Sequence, residues 1–148
     1  MRKIILGLLA GCAILPVSGW AVLGQYQNSI TLDQQRMHGS VKEMARQGYS
    51  IQKIVAPDGA VVREYVNPDG VVFGVAWQAP TLPNLEQLLG DYFIEFQQAA
   101  RSSKRRGGPL VVRTRDLIVA SGGHMRWFQG RAIALKSLPK NVSQEVVR

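Results

Sequence analysis

Apolar residues fall along this chain in three distinct rhythms. From Ile4 to Val17 they form a run broken only by Gly7, Gly11 and Pro16. Between 49 and 78, short β-prone runs alternate with turn residues. Between 82 and 100, apolar residues recur at every third or fourth position. Each rhythm predicts a different kind of element.

The middle rhythm is the clearest. Pro-Asp-Gly occurs at 57–59 and again at 68–70, each time between β-prone runs. Proline presets the first turn dihedral, Asp suits the next position, and Gly supplies the positive φ that closes the turn. The pattern predicts three antiparallel strands over 49–56, 60–66 and 71–78. In the third, Phe73, Val75 and Trp77 share one face by alternation, while Val72, Gly74 and Ala76 form a small opposite face.

A helix is predicted next. Leu82, Leu85, Leu88, Leu89, Tyr92, Phe93, Phe96, Ala99 and Ala100 fall within an arc of ~140° at 100° per residue. Gly107-Gly108-Pro109 ends it. A weaker helix over 30–47 rests on Met37, Val41, Met44 and Ala45, with Asp33 near its start and Gly48 as its stop. Two further strands are expected over 109–120 and 124–135, turned by Ser121-Gly122-Gly123. The tail, 136–148, is polar and is expected to pack loosely. The resulting expectation is an α+β, two-layer domain of order α-β-β-β-α-β-β, with a mostly antiparallel five-stranded sheet and its ordered core over about 30–135.

The first rhythm changes the picture of where the chain works. Arg2 and Lys3 precede the apolar run, which is shorter than the ~20 residues a spanning helix needs. Gly19 and Ala21 supply the small residues of a cleavage site. Residues 1–21 are therefore expected to be a cleaved secretory signal and 22–148 a single exported domain, periplasmic or secreted, with no span in the mature form. Residues 22–29 would be an irregular mature N-terminus. Leu9-Ala10-Gly11-Cys12 spells a lipoprotein box, but Cys12 sits too early in the run, so lipidation is the second reading. With Cys12 removed, no cysteine remains for a disulfide, a thiolate nucleophile or a metal.

Composition adds a direction. The formal net charge is +8, which favours anionic partners. Export removes nucleic acid from these and leaves an anionic envelope component or an unidentified protein. No cofactor fingerprint is present, and two histidines without a metal spacing give no metal site.

Several stretches together resemble a known family. REYV (63–66), VFGVAWQ (72–78), PTLPNLEQLLGDYF (80–93) and SGGHMRWFQGRA (121–132) are similar, in order, to a family of exported proteobacterial proteins known only as a domain of unknown function. The resemblance covers most of the chain and implies export and a shared fold. It carries no activity, substrate or catalytic residue.

Candidate sites follow from the residues. Ser121, Gly122, Gly123, His124 and Arg126 would form a ligand-binding hairpin in which glycines let backbone N–H groups converge on an anion; the alternative is a plain turn. Lys104, Arg105 and Arg106 form an anionic-surface candidate, against a solvated helix end. Gly90 interrupts the helix on its polar side beside Ile94, making an interface candidate for a partner or a homodimer. Arg63 and Glu64 lie mid-strand, as a cross-strand ion pair with Arg113 or Arg115, or as a charged pocket floor. His124 with Asp91 or Glu64 would make a small hydrolase, though no Gly-x-Ser-x-Gly elbow accompanies it and His38 falls elsewhere. The preferred reading is a non-enzymatic envelope binding or accessory module, with the hydrolase and a self-associating assembly component as alternatives.

Overall fold

The computed structural model describes residues 23–26, 40–103 and 108–148. Seven strands form one antiparallel sheet: β1 Ser40–Arg46, β2 Tyr49–Val55, β3 Val61–Val66, β4 Val72–Ala79, β5 Leu110–Arg113, β6 Leu117–His124 and β7 Trp127–Ala134. Their spatial order is β1-β2-β3-β4-β7-β6-β5. Between β4 and β5 runs one broken helical segment: α1 Leu85–Leu89, a 3-10 turn Gly90–Tyr92, and α2 Phe93–Ser102. The expected five-stranded, two-helix α+β order is overturned. The protein is sheet-rich: β1 comes from a stretch expected to be helix, and 109–120, expected as one strand, gives both β5 and β6. The signal segment 1–21, Cys12, residues 30–39 with His38, and Lys104 to Arg106 lie outside the described residues.

The Pro-Asp-Gly turns do what their chemistry dictates. Gly59 and Gly70 take φ of +87° and +79°. Asp58 Oδ1 accepts from Ala60 N at 2.9 Å, and Asn67 Oδ1 accepts from Asp69 N and Val71 N at 3.0 and 2.9 Å.

Three corrections have local causes. Residues 40–46 are a strand, paired with β2 from Ser40↔Val55 to Arg46↔Tyr49. Gly48 at φ +84° closes a two-residue hairpin loop there, a positive dihedral that also suits a helix stop. The polar dent in 109–120 is a turn that splits the stretch into β5 and β6. Thr114 Oγ1 accepts from Leu117 N at 3.0 Å, and Thr114 N donates to Leu117 O at 2.8 Å. Ser121-Gly122-Gly123 is strand, not turn: β6 stays paired with β7 through His124↔Trp127, and the loop is Met125-Arg126.

The helix breaks where glycine permits it. Gly90 has φ 51° and ψ −125° and caps α1 through its N–H to Glu86 O. Asn84 caps the other end, accepting from Glu86 N and Gln87 N at 3.0 and 3.2 Å.

Apolar cover lies on both faces of the sheet. On the helix side, Val62, Val75, Trp77, Val119 and Ala132 pack with Leu88, Leu89 and Phe96. Leu23 joins this core, and the 23–26 segment is tied down by Gly24 N to Val72 O at 2.8 Å and Val72 N to Gln25 O at 3.0 Å. On the other side, Tyr65, Phe73, Ala76, Ile118 and Ile133 pack with Val142 and Val147 of the tail. The tail is therefore a structural strap. Tyr65 Oη donates to Arg148 O at 2.8 Å and accepts from Arg148 N at 3.1 Å. Asn67 Nδ2 donates to Ser137 O at 3.0 Å.

A bulge decides which residues of β4 reach which side. Tyr65 pairs with Gly74 but Val66 pairs with Val72, so Phe73 is an extra residue. It sends Phe73 to the tail side, away from Val75 and Trp77, contrary to simple alternation.

Two substitutions test this packing. A Cβ at Gly130 would stand 2.7 Å from Ala120 O and against the Trp77 ring. Gly130→Ala should cost about 1–3 kcal/mol, read as a fall in Tm of several degrees. Tyr65→Phe should cost about 1 kcal/mol by removing the tail's hydrogen bonds, and should speed proteolysis of the tail.

Candidate functional site

Strand register lays residues out in rows across the tail-side face. Arg63, Ala76, Arg131 and Ala120 form one row through successive pairings. Val61, Gln78, Gln129 and Gly122 form the next row outward. The strap covers the apolar rows inward of these. Where it ends, the half-buried Ala120 and Gly122 stand with buried Ala76 between arginines.

The result is a groove of about 370 Å³ whose floor includes Ala76, Ala120 and Gly122, with Gln78 and Gln129 beside them. Arg63, Arg131 and Arg148 border it. A second depression of about 520 Å³ shares Arg63, Gln78 and Arg148 and adds Arg46, Tyr49 and Tyr65. The two form one basic trough across the open face.

Opposing charge is sparse there. Arg131 Nη1 donates to Val147 O at 3.1 Å and lies 3.6 Å from Glu145 Oε2. Among the described residues, neither Arg63 nor Arg148 forms a side-chain salt bridge. A guanidinium carries five donors in a planar fork matched to phosphate and carboxylate oxygens, and Arg131 uses only part of its set on the strap. Arginines over a low-dielectric floor focus a positive field into the groove. The arrangement suits holding an anion.

The resolved shifts in proton affinity occur elsewhere. Lys136 holds its proton more tightly than usual because of its hydrogen bond to the Asp116 carboxylate at 2.7 Å. Burial raises the Tyr92 phenol. Asp116 precedes β6 and Lys136 follows β7, at the end of that hairpin remote from its Met125-Arg126 loop.

The residues singled out in sequence divide between several places. Ser121, Gly122 and Gly123 line the groove; alternation about Ala120 and Gly122 turns the Ser121 side chain to the helix face, so its contribution is main chain. His124 and Arg126 are exposed at the hairpin end beyond the groove. His124 Nδ1 lies 3.1 Å from Met125 O. Glu64 is buried on the helix side, in register with Gln52 and Val75. Val75 leads through Ala132 to Val119, five residues before His124 on β6, or about 16 Å along the strand. The fold does not bring His124 and Glu64 together, and Asp91 is exposed in the 3-10 turn of the helical segment. Arg113 lies on β5, at the opposite edge from β1 and four positions from β3, too far to form a cross-strand ion pair with Glu64. Gly90 is accounted for by its backbone dihedrals, while Ile94 is 67% exposed.

Sequence reasoning missed Arg131, Arg148 and Gln129. Gln129 and Arg131 are two apart on one strand and so share a face, a signal that was available. Arg148 reaches the trough only because the strap folds back.

A family model described as a protein of unknown function (DUF2844) matches residues 19–147. No curated protein and no solved structure matches the chain.

Glu145 supplies a direct check on the groove's electrostatics. Its pair with Arg131 is long and largely exposed, so Glu145→Gln should change stability by less than about 0.5 kcal/mol. The same change should tighten binding of a small polyanion such as pyrophosphate, measured by calorimetry at low salt.

Proposed function

The chain belongs to the DUF2844 family of unknown function, and from that premise we propose that it is a non-enzymatic, exported binding module that holds a phosphate-bearing ligand in its arginine trough. The observation that carries this reading is the convergence of Arg63, Arg131 and Arg148 on a groove floored by small residues. Two of these guanidiniums lack a carboxylate partner among the described residues. A phosphate offers several acceptor oxygens and satisfies two or three planar donor forks at once. The N-terminal run Ile4 to Val17 behind Arg2 and Lys3 supports export to the periplasm or beyond. The ligand would then be an envelope or extracellular component.

Binding without turnover fits the arrangement. The groove supplies cations and amides, Gln78 and Gln129 among them, and among the described residues its lining includes no histidine, aspartate or glutamate. Export, a basic surface and a preformed groove together describe a receptor for an anionic group.

The test is calorimetric titration of the purified protein with inorganic phosphate, pyrophosphate and glycerol phosphate. Binding should weaken as salt rises. Arg63→Ala should lower affinity about tenfold, the loss expected for one charge-assisted hydrogen bond, and Arg63→Lys should recover only part of it. Undiminished affinity in an Arg63→Ala, Arg131→Ala double variant with an unchanged far-ultraviolet spectrum would remove the proposal.

A further inference from the structure

The loop joining β6 and β7 has a composition that neither the fold nor the groove requires. Met125 is 88% exposed and Trp127 is 44% exposed, the two standing on either side of Arg126. Arg126 holds a φ of +68°. That left-handed dihedral is cheap for Gly or Asn and costs other residues about 1 kcal/mol or more. A two-residue loop gains nothing in stability from arginine at that position, nor from methionine and tryptophan in water beside it. Strain and exposed apolar area held together at one exposed loop point to a use outside the fold.

The charge around the loop is one-sided. From Leu117 to Gln144 the chain contains no Asp or Glu. The Ala79–Asn84 stretch, which begins beside this end of the sheet through the Ala79↔Phe128 pair, contains none either. His124 and Arg126 are both exposed. Among the described residues, the carboxylate at this end of the sheet is Asp58, in the β2–β3 turn and two strands away from β7. The tip itself, apolar and flanked by cationic and neutral groups, complements a surface that is oily beneath and negative above. Tryptophan settles at the headgroup level, where its ring is in apolar surroundings and its N–H is wet. Methionine adds flexible apolar bulk. Arginine beside them meets lipid phosphate.

We propose that the His124–Trp127 tip is a membrane-docking element that seats Met125 and Trp127 in the headgroup region of an anionic bilayer. By strand alternation His124 and Trp127 project to the same face as Gln129 and Arg131, so docking would place the arginine trough beside the lipid surface. The inference stands on the loop alone and does not need the trough to bind a ligand.

The experiment is co-sedimentation of the purified protein with equimolar phosphatidylglycerol–phosphatidylcholine vesicles and with pure phosphatidylcholine vesicles, in low salt. The anionic vesicles should be strongly preferred. Tryptophan emission should shift to the blue and become protected from acrylamide, and Trp127→Phe should abolish both changes. A Met125→Ser, Trp127→Ser double variant should lose partitioning about tenfold or more, while its affinity for soluble pyrophosphate stays at the parent value. Arg126→Gly separates docking from folding: it relieves the strained φ and should raise Tm, yet weaken vesicle binding about fivefold. Absence of association with anionic vesicles, equal partition into neutral ones, or a tip variant that binds like the parent overturns the proposal, including the case in which the tip serves a protein.

Discussion

A sheet whose central strands carry apolar side chains on both faces must be covered twice, and nearly everything distinctive in this protein follows from how the second cover is provided. The helical segment does the larger job, setting Leu88, Leu89 and Phe96 over Val75, Trp77 and Val119. Among the described residues, the opposite face is covered by the tail, pinned by Val142, Val147 and the Tyr65 hydroxyl. A strap this short cannot shield a whole sheet face. The inward rows are buried beneath it, and the Arg63–Ala76–Arg131–Ala120 row lies at its edge, with Ala76 buried and the other three half-buried. The groove is thus the part of a two-sided sheet that its cover does not reach.

That origin explains the mixture of small and charged residues there. Bulky apolar groups left uncovered would expose a sticky patch. Ala76, Ala120 and Gly122 keep the floor low, while arginines keep it wet. Arg131 is shared between the two roles, tethering Val147 O through Nη1 and also lining the groove. The same residue joins the edge of the second core to the rim of the site.

Much of this was legible in the sequence wherever local chemistry dictates structure. The Pro-Asp-Gly turns, the three strands they separate, and the apolar stripe from Leu85 to Ala100 all follow from short-range rules. Legibility failed where one local signal serves two structures. Gly48 ends a helix or closes a hairpin equally well, and Gly122-Gly123 suits a turn or a strand closely approached by Pro109 and by the Trp127–Phe128 backbone. It failed again where tertiary pairing decides: the extra residue at Phe73 exists only relative to β3, and the valines of the tail look like surface until a sheet face is there to receive them. For the site, the Ser121–Gly123 segment and the alternative of Arg63 as a charged pocket residue were readable. The arginine cluster was not, because it is assembled from β3, β7 and the last residue of the strap.

The Tyr65 hydroxyl and the Arg148 main chain meet across 83 positions of sequence. Such a contact closes late by any route, since the intervening strands must be in register before its two halves can find each other. During synthesis, while Val147 is still unmade, one side of the growing sheet has Phe73, Ile118 and Ile133 without their lid. A chain without Val142 and Val147 in place would hand the cell a sheet with one greasy side. Laying the strap over that face is therefore also the step that makes the sheet safe from sticking to its own copies.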